Sequence, residues 1–85
     1  MPGTSVTVLF FAGARDAAGR SKLQLGTPEG TTVGEMADHL AQEFGPGLRS
    51  LMARCALWVN GDPAAASTVL HEGDELAVLP PVSGG

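Results

Sequence analysis

Hydrophobic positions along the chain fall into four short strand-like runs. Residues 6–11 are mostly β-branched, aliphatic or aromatic, which is typical of a strand, and both faces of this strand are apolar. Residues 22–25 alternate polar and apolar side chains, as a half-buried strand does. Residues 56–59 and 75–79 are two further apolar runs. The pattern predicts four strands, with the first central in a sheet and the second paired antiparallel with it.

A fifth stretch, between the second and third strands, has the period of a helix. Thr32 and Glu35 have the spacing of a capping box at its start. Gly45 suits a left-handed position at its end, and Pro46 stops the helix from continuing. Apolar residues recur at helical spacing and form one stripe. They are Val33, Met36, Ala37, Leu40, Ala41 and Phe44.

Shorter signals complete the predicted fold. Residues 15–18 have room for one helical turn, residues 48–52 suggest a short helix, and residues 62–67 are interpreted as a loop of small side chains. Asn60-Gly61 is a tight-turn signal. The order of the elements predicts an α+β fold of the β-grasp type, a mixed sheet packed on one main helix. The helix crosses over the sheet, so the last strand is expected beside the first.

Composition limits the functions that this fold can have. Eighty-five residues with a hydrophobic fraction of 44% make one small globular domain. The net charge of −4, with only five lysines and arginines, argues against nucleic acid and anionic membranes as partners. The sequence contains no signal peptide and no apolar run of about 18 residues. Because Cys55 is the only cysteine, we expect a cytoplasmic protein without an internal disulfide.

The side chains do not form a recognisable catalytic or metal-binding set. His39 has no second ligand at metal spacing, so it is interpreted as a surface residue. Cys55 opens an apolar strand and is interpreted as a small buried hydrophobe. Asp74 and Glu75 are interpreted as a solvated turn that leads into the last strand. The sequence therefore predicts no bound cofactor and no metal.

The last six residues have the composition of a functional tail. Residues 1–79 are predicted to form the β-grasp domain, and residues 80–85 an extended tail. Two prolines open the tail and favour an extended path, and Gly84 and Gly85 let a backbone enter a narrow space. A carboxylate becomes reactive when adenylation by ATP gives it a leaving group, and a sulfur nucleophile can then convert it to a thiocarboxylate. We therefore predict that the carboxylate of Gly85 is the chemically active group.

Four segments of the chain carry a resemblance to a known family. They are Phe10-Phe11-Ala12 with Arg15 and Gly19, Val59-Asn60-Gly61, Gly73-Asp74-Glu75, and Leu79-Pro80-Pro81-Val82-Ser83-Gly84-Gly85. On these segments the chain resembles the small subunits of molybdopterin synthase, which are ubiquitin-like sulfur carriers. The resemblance covers nearly the whole chain, and the tail is its most specific part. The fold that it implies is the ubiquitin-like β-grasp.

The resemblance implies a function for the tail. An E1-like adenylating enzyme, which consumes ATP, would activate Gly85, and a sulfur donor protein would supply the sulfur of the thiocarboxylate. Pro81, Val82, Ser83 and Gly84 would insert into the large subunit of molybdopterin synthase. There the sulfur would pass to cyclic pyranopterin monophosphate, in the biosynthesis of the molybdenum cofactor. The chain would be the sulfur-donating subunit of a sulfurtransferase complex and no enzyme on its own.

The contact with the large subunit is expected on the outer face of the sheet. Phe10 or Phe11, whichever points away from the helix, and Leu79 are the candidate residues. Three other functions remain open at this point. They are sulfur delivery to thiamine or cysteine synthesis, conjugation to target lysines as a ubiquitin-like modifier, and an interaction module whose tail is unused.

Overall fold

The computed structural model describes residues 3–81, and within this range the chain forms five strands and three helices. In chain order these elements are β1 (Thr4–Phe10), α1 (Ala12–Ala18), β2 (Lys22–Thr27), α2 (Val33–Phe44), α3 (Pro46–Met52), β3 (Ala56–Val59), β4 (Asp62–Pro63) and β5 (Glu75–Leu79). The four predicted strands are β1, β2, β3 and β5, and the predicted main helix is α2. The short helix predicted after it is α3.

The five strands make one mixed sheet in the order β2-β1-β5-β3-β4. β1 pairs antiparallel with β2 and parallel with β5, and β3 pairs antiparallel with both β5 and β4. The first strand is therefore interior, the second is its antiparallel neighbour and the last lies beside the first, as predicted. This sheet, with α2 packed against one face, is the ubiquitin-like β-grasp, which confirms the predicted α+β fold.

α2 forms because side chains at its start accept hydrogen bonds from the backbone N–H groups of its first turn. Thr32 Oγ1 accepts a hydrogen bond from Glu35 N at 3.2 Å, and Glu35 Oε1 accepts one from Thr32 N at 2.9 Å, which completes the predicted capping box. At the other end Gly45 has a φ of +88° and a ψ of −170°, so its φ is positive but its ψ is extended. Pro46 ends α2 and also opens α3, where a proline removes no helical hydrogen bond.

The core lies between α2 and one face of the sheet. Val6, Val8 and Phe10 of β1 are buried, whereas Thr7 and Leu9 between them are half-buried. This alternation assigns the first three side chains to the face that packs on α2. The buried residues of α2 are Val33, Met36, Leu40 and Ala41, and the first three belong to this core.

The connection between β1 and β2 holds more helix than the single turn predicted. β1 ends at Phe10, and Phe11, with an extended φ of −118°, is the N-cap residue of α1. α1 continues for seven residues and ends at Gly19, which has a φ of +75° and donates its N–H to Arg15 O. A glycine at this left-handed position stops the helix and turns the chain toward β2.

The chain after β3 forms a hairpin, so the first two residues of the loop predicted over residues 62–67 are a strand, whereas residues 64–67 are a loop as predicted. Asn60 and Gly61 have φ values of +51° and +86°, as a two-residue turn between twisted antiparallel strands requires. The predicted tight turn therefore forms, and it brings Asp62 back beside Val59. The two residues after the turn pair with β3 and become β4, the edge strand of the sheet.

Asn60 also ties this hairpin to the turn in front of β5. Its Nδ2 donates to Asp74 Oδ1 at 2.9 Å, and its Oδ1 accepts from Glu75 N at 2.9 Å. The second carboxylate oxygen of Asp74 accepts from His71 N at 2.8 Å. That backbone hydrogen bond is the main cause that lowers the pKa of Asp74, and the Asn60 amide lowers it further. Two motifs that are distant in sequence thus hold the start of β5 in place.

Removing the Asp74 carboxylate should lower stability in a pH-dependent way. We expect Asp74→Asn to reduce the free energy of unfolding at neutral pH, because the carboxylate accepts two hydrogen bonds. The loss should be only about 1 kcal/mol, because the site is partly exposed. The folded-state pKa of Asp74 is depressed, so its contribution is present above the unfolded-state pKa of about 4 and is lost as the pH falls through the folded-state value. Urea denaturation of both proteins from neutral to strongly acidic pH should give stability curves that converge in acid. A difference that stays constant over this range would contradict the assignment.

Candidate functional site

β5 is the strand that carries the chain to its tail. It lies between β1 and β3, and its Leu76 and Val78 side chains are fully buried. Phe11 N, just past the end of β1, donates to Val78 O at 3.3 Å. The last two described residues are Pro80, which is half-buried, and Pro81, which is exposed. The tail therefore starts from a point that the core holds in position.

The rest of the predicted tail lies outside the described residues. The division into a domain over 1–79 and a tail over 80–85 stays a prediction, as do the insertion of the tail and the chemistry at its end. Pro81 is exposed and therefore accessible to a partner, but its insertion is equally a prediction. The predicted site residues outside the described range are Val82, Ser83, Gly84 and Gly85.

The sheet face that α2 does not cover carries apolar side chains on the side of the tail. Leu9 of β1 pairs with Ala77 of β5, and Ala77 pairs with Trp58 of β3, so the three side chains share one face. All three are half-buried, and none of them packs against the core. One step closer to the tail, Leu79 pairs with Ala56. These five residues are called the outer apolar face below.

A polar row bounds the outer apolar face on the side away from the tail. Gln24, Thr7 and Glu75 are neighbours in register on β2, β1 and β5. A contiguous apolar area with a polar rim is typical of a protein contact surface. The apolar half of the open sheet face is therefore the half next to the tail.

Of the two phenylalanines that were alternatives for the outer face, Phe10 is in the core. Its side chain is 2% exposed, and its ring meets the ring of Phe44 edge to face with centroids 5.7 Å apart. Phe10 points toward α2 and is not accessible to a partner. Phe11 is 44% exposed at the start of α1, and Leu79 is half-buried on the outer apolar face. Contact of Phe11 and Leu79 with a partner stays a prediction.

Sequence reasoning missed four residues of the outer apolar face: Leu9, Ala56, Trp58 and Ala77. Each is adjacent in sequence to a core residue, and a slip of one residue in a strand exchanges its two faces. One signal for Trp58 was available in the sequence. It stands between Leu57 and Val59, so a strand that puts both aliphatic neighbours in the core puts the tryptophan outside.

No activated nucleophile or metal site accompanies the tail within residues 3–81. Cys55 is half-buried, and burial raises the pKa of its thiol while the charge of Arg54 partly opposes the rise. Its thiolate fraction at neutral pH is therefore small. His39 is exposed, and no three His, Cys, Asp or Glu side chains of the described residues are grouped to hold an ion. No helix in the same range is long and apolar enough to cross a bilayer.

A surface hollow of about 450 Å³ lies at the end of the molecule away from the tail. It is lined by the loop over residues 26–31 and by Glu35, Met36 and His39 of α2. The loop hydroxyls already bond each other, with Thr27 Oγ1 and Thr31 Oγ1 at 2.8 Å. The hollow thus offers no reactive group that is linked to the tail.

Comparison with known proteins identifies the family. The model of the ThiS family matches residues 8–85 of the chain. The chain belongs to the ThiS family. A relative of this ThiS-family chain is the molybdopterin synthase sulfur carrier subunit of Mycobacterium tuberculosis (strain ATCC 25618 / H37Rv). The two are 40% identical over 81 residues, which cover 94% of this chain and 96% of the relative.

Solved structures resemble the ThiS-family chain over nearly all of its length. SAMP1 from Haloferax volcanii has a TM-score of 0.85 and 31% identity, and the match covers 95% of this chain and 99% of that one. A chain from the complex of subunits 1 and 2 of molybdopterin-converting factor from Helicobacter pylori 26695 has a TM-score of 0.68 and 26% identity. That match covers 96% of this chain and 100% of the other. Both confirm the ubiquitin-like fold.

Proposed function

We propose that this chain is a sulfur carrier for molybdenum cofactor biosynthesis and acts as the small subunit of molybdopterin synthase. The observation that carries the proposal is the near full-length match to a sulfur carrier subunit of that enzyme, which covers 94% of this chain and 96% of the relative. The fold supports it, because a buried strand runs directly into a segment that ends in two glycines. A carrier needs such an arrangement, since its reactive end must reach into a partner while its domain stays folded.

The reactive group of the proposed carrier is the carboxylate of Gly85. A carboxylate oxygen attacks the α-phosphate of ATP in an E1-like enzyme, which forms an acyl adenylate and releases pyrophosphate. Hydrosulfide supplied by a sulfur donor protein then attacks the acyl carbon and expels AMP, and the product is a thiocarboxylate. Gly84 and Gly85 lack side chains, so the backbone can pass through a narrow channel to the reacting atoms. The described part of the chain supplies no catalytic side chain of its own, which fits a carrier whose partners perform the catalysis.

The proposed partner in sulfur donation is the large subunit of molybdopterin synthase. One structural relative comes from a complex of subunits 1 and 2 of molybdopterin-converting factor. The outer apolar face lies beside the start of the tail and would be buried in such a contact, with Trp58 as its largest side chain. Main-chain hydrogen bonds along the tail would add to this contact. The thiocarboxylate would then donate its sulfur to cyclic pyranopterin monophosphate bound by the large subunit.

Intact-mass spectrometry tests the proposed carrier chemistry. After incubation with ATP, the activating enzyme and a sulfur source, we expect the mass to rise by the exchange of one oxygen for one sulfur. Fragmentation should place the exchange at Gly85. Omission of ATP is the control, because the carboxylate has no leaving group without adenylation. An unchanged mass in the complete reaction with the cognate activating enzyme would refute the carrier function.

The likeness to SAMP1 favours one second candidate, a ubiquitin-like protein modifier. Small archaeal modifier proteins have this fold, and SAMP1 is 31% identical to the chain. A modifier shares the adenylation of Gly85, but its product is an isopeptide bond to a lysine of a target protein. The fate of the activated chain separates the two functions. Protein conjugates that resist boiling in thiol-containing denaturant would favour the modifier, and a free thiocarboxylate consumed by the large subunit favours the carrier.

A further inference from the structure

The cationic side chains of this acidic protein lie at one end of the molecule, where the tail begins. Arg15 lies on α1, directly after the C-terminal end of β1, and Arg20 follows α1. Lys22 opens β2 opposite Leu9, beside the outer apolar face. The guanidinium of Arg20 stands 5.8 Å from the centre of the Phe44 ring, at the C-terminal end of α2. These cations are exposed and surround the tail-side ends of β1 and α2.

The remaining two cations lie on α3 and just before β3. Arg49 is exposed on α3, which packs against α1 and α2. Arg54 is exposed two residues before Ala56, and Ala56 pairs with Leu79 at the end of β5. All five lysines and arginines of the chain are thus at the tail end. They are called the basic collar: Arg15, Arg20, Lys22, Arg49 and Arg54.

Six of the nine acidic residues lie at the opposite end, which is called the acidic pole. They belong to the loop after β2, the first turn of α2, the turn after β3 and the turn before β5. These residues are Glu29, Glu35, Asp62, Glu72, Asp74 and Glu75. The other three, Asp16, Asp38 and Glu43, accompany the collar, and Asp38 lines one surface hollow with Arg49. The collar end is therefore net positive although the chain carries −4.

We infer that this charge separation steers the chain, tail first, onto a protein surface with an acidic rim around the site that receives the tail. The inference rests on the proposed function, because it takes the large subunit of molybdopterin synthase as that protein. A positive end meeting a negative rim accelerates the encounter, and the acidic pole is repelled by the same rim. Both effects favour the one orientation in which the tail can enter.

The acidic rim of the partner and the site where Gly85 reacts can lie as far apart as the tail is long. Residues 80–85 can span at most about 20 Å when fully extended. The screening length at physiological salt is only about 8 Å. The collar therefore acts on the surface around the entrance, and not on the atoms that react at Gly85.

A protein is a better fit for the collar than a phosphate polymer. The cations flank the outer apolar face, with Lys22 on one side and Arg54 on the other. An apolar centre with a charged rim is the usual composition of a protein contact. Nucleic acid binding instead needs a basic domain, and this chain has a net charge of −4.

Stopped-flow association with the cognate large subunit tests the inference. We expect Lys22→Gln combined with Arg54→Gln to lower the association rate constant about tenfold at low salt, and to flatten its dependence on ionic strength. The matched control is Ala65→Glu combined with Ser67→Glu. It makes the same change in net charge at exposed positions near the acidic pole, and its association rate should stay close to that of the wild type.

The possible outcomes separate this inference from the function on which it rests. Equal slowing by both double variants would show an effect of net charge alone and would overturn the collar. Association of the collar variant at the wild-type rate would overturn it as well, and so would tight binding of wild-type chain to duplex DNA at physiological salt. A wild-type chain that does not bind the large subunit at all would refute the proposed partner first, and the inference with it.

Discussion

Adding one alanine after Gly85 is expected to abolish sulfur loading and, with it, all sulfur donation. The reacting carboxylate would move by one residue, about 3.5 Å, and a methyl group would enter the narrow channel proposed to receive the two glycines. Errors of about 1 Å in the placement of reacting groups already cost roughly a hundredfold in rate. We therefore expect thiocarboxylate formation to fall to the background measured without ATP. Mass spectrometry of the loading reaction measures the effect directly.

A chain with the same alanine added before Met1 is the matched control. It has the same composition and an unchanged tail, so it should load sulfur at the wild-type rate. Both extended chains should unfold at the wild-type urea concentration, because neither addition touches the core between α2 and the sheet. Sulfur loading of the C-terminally extended chain at the wild-type rate would contradict the placement of the chemistry at Gly85.

The parts of the fold that sequence reasoning predicted correctly depend on short-range signals. The capping box of Thr32 and Glu35 joins residues three positions apart, and the Asn60-Gly61 turn needs only two residues with positive φ. The central place of β5 in the sheet was predicted from apolar residues within the strand itself, at Leu76, Val78 and Leu79. Such signals can be recognised from a few neighbouring residues, without knowledge of the distant parts of the chain.

The parts that sequence reasoning missed depend on contacts between distant residues. The hydrogen bond from Asn60 to Asp74 joins residues 14 positions apart, and the local sequence around either residue does not indicate the other. The outer apolar face combines residues of β1, β3 and β5. All of them except Leu79 were missed, because a shift of one position exchanges the two faces of a strand. The grouping of the charged residues also depends on the fold. The basic residues are scattered from Arg15 to Arg54 in sequence, and only the fold gathers them at one end.

The two neighbouring phenylalanines provide a matched pair that separates stability from binding. Phe10→Ala should lower the free energy of unfolding by about 4 kcal/mol, because it leaves a cavity under α2 and removes the contact with Phe44. That is a large part of the total stability of a small domain, which is roughly 5–15 kcal/mol. Phe11→Ala should change it by no more than about 0.5 kcal/mol, since the side chain is exposed. Urea denaturation measures both values.

Binding should rank the same two variants in the opposite order. An exposed aromatic beside the tail that becomes buried in a contact is worth about 1–2 kcal/mol, so Phe11→Ala should weaken binding to the large subunit about tenfold. The fraction of Phe10→Ala that remains folded should bind with nearly the wild-type affinity, because its outer apolar face is intact. If that variant does not fold, Phe10→Leu removes less volume and keeps the comparison possible. Wild-type binding by Phe11→Ala would remove Phe11 from the contact, whereas a large loss of stability would place it in the core. The pair therefore tests whether Phe10 acts in the core and Phe11 in the contact, which the sequence of two adjacent phenylalanines leaves open.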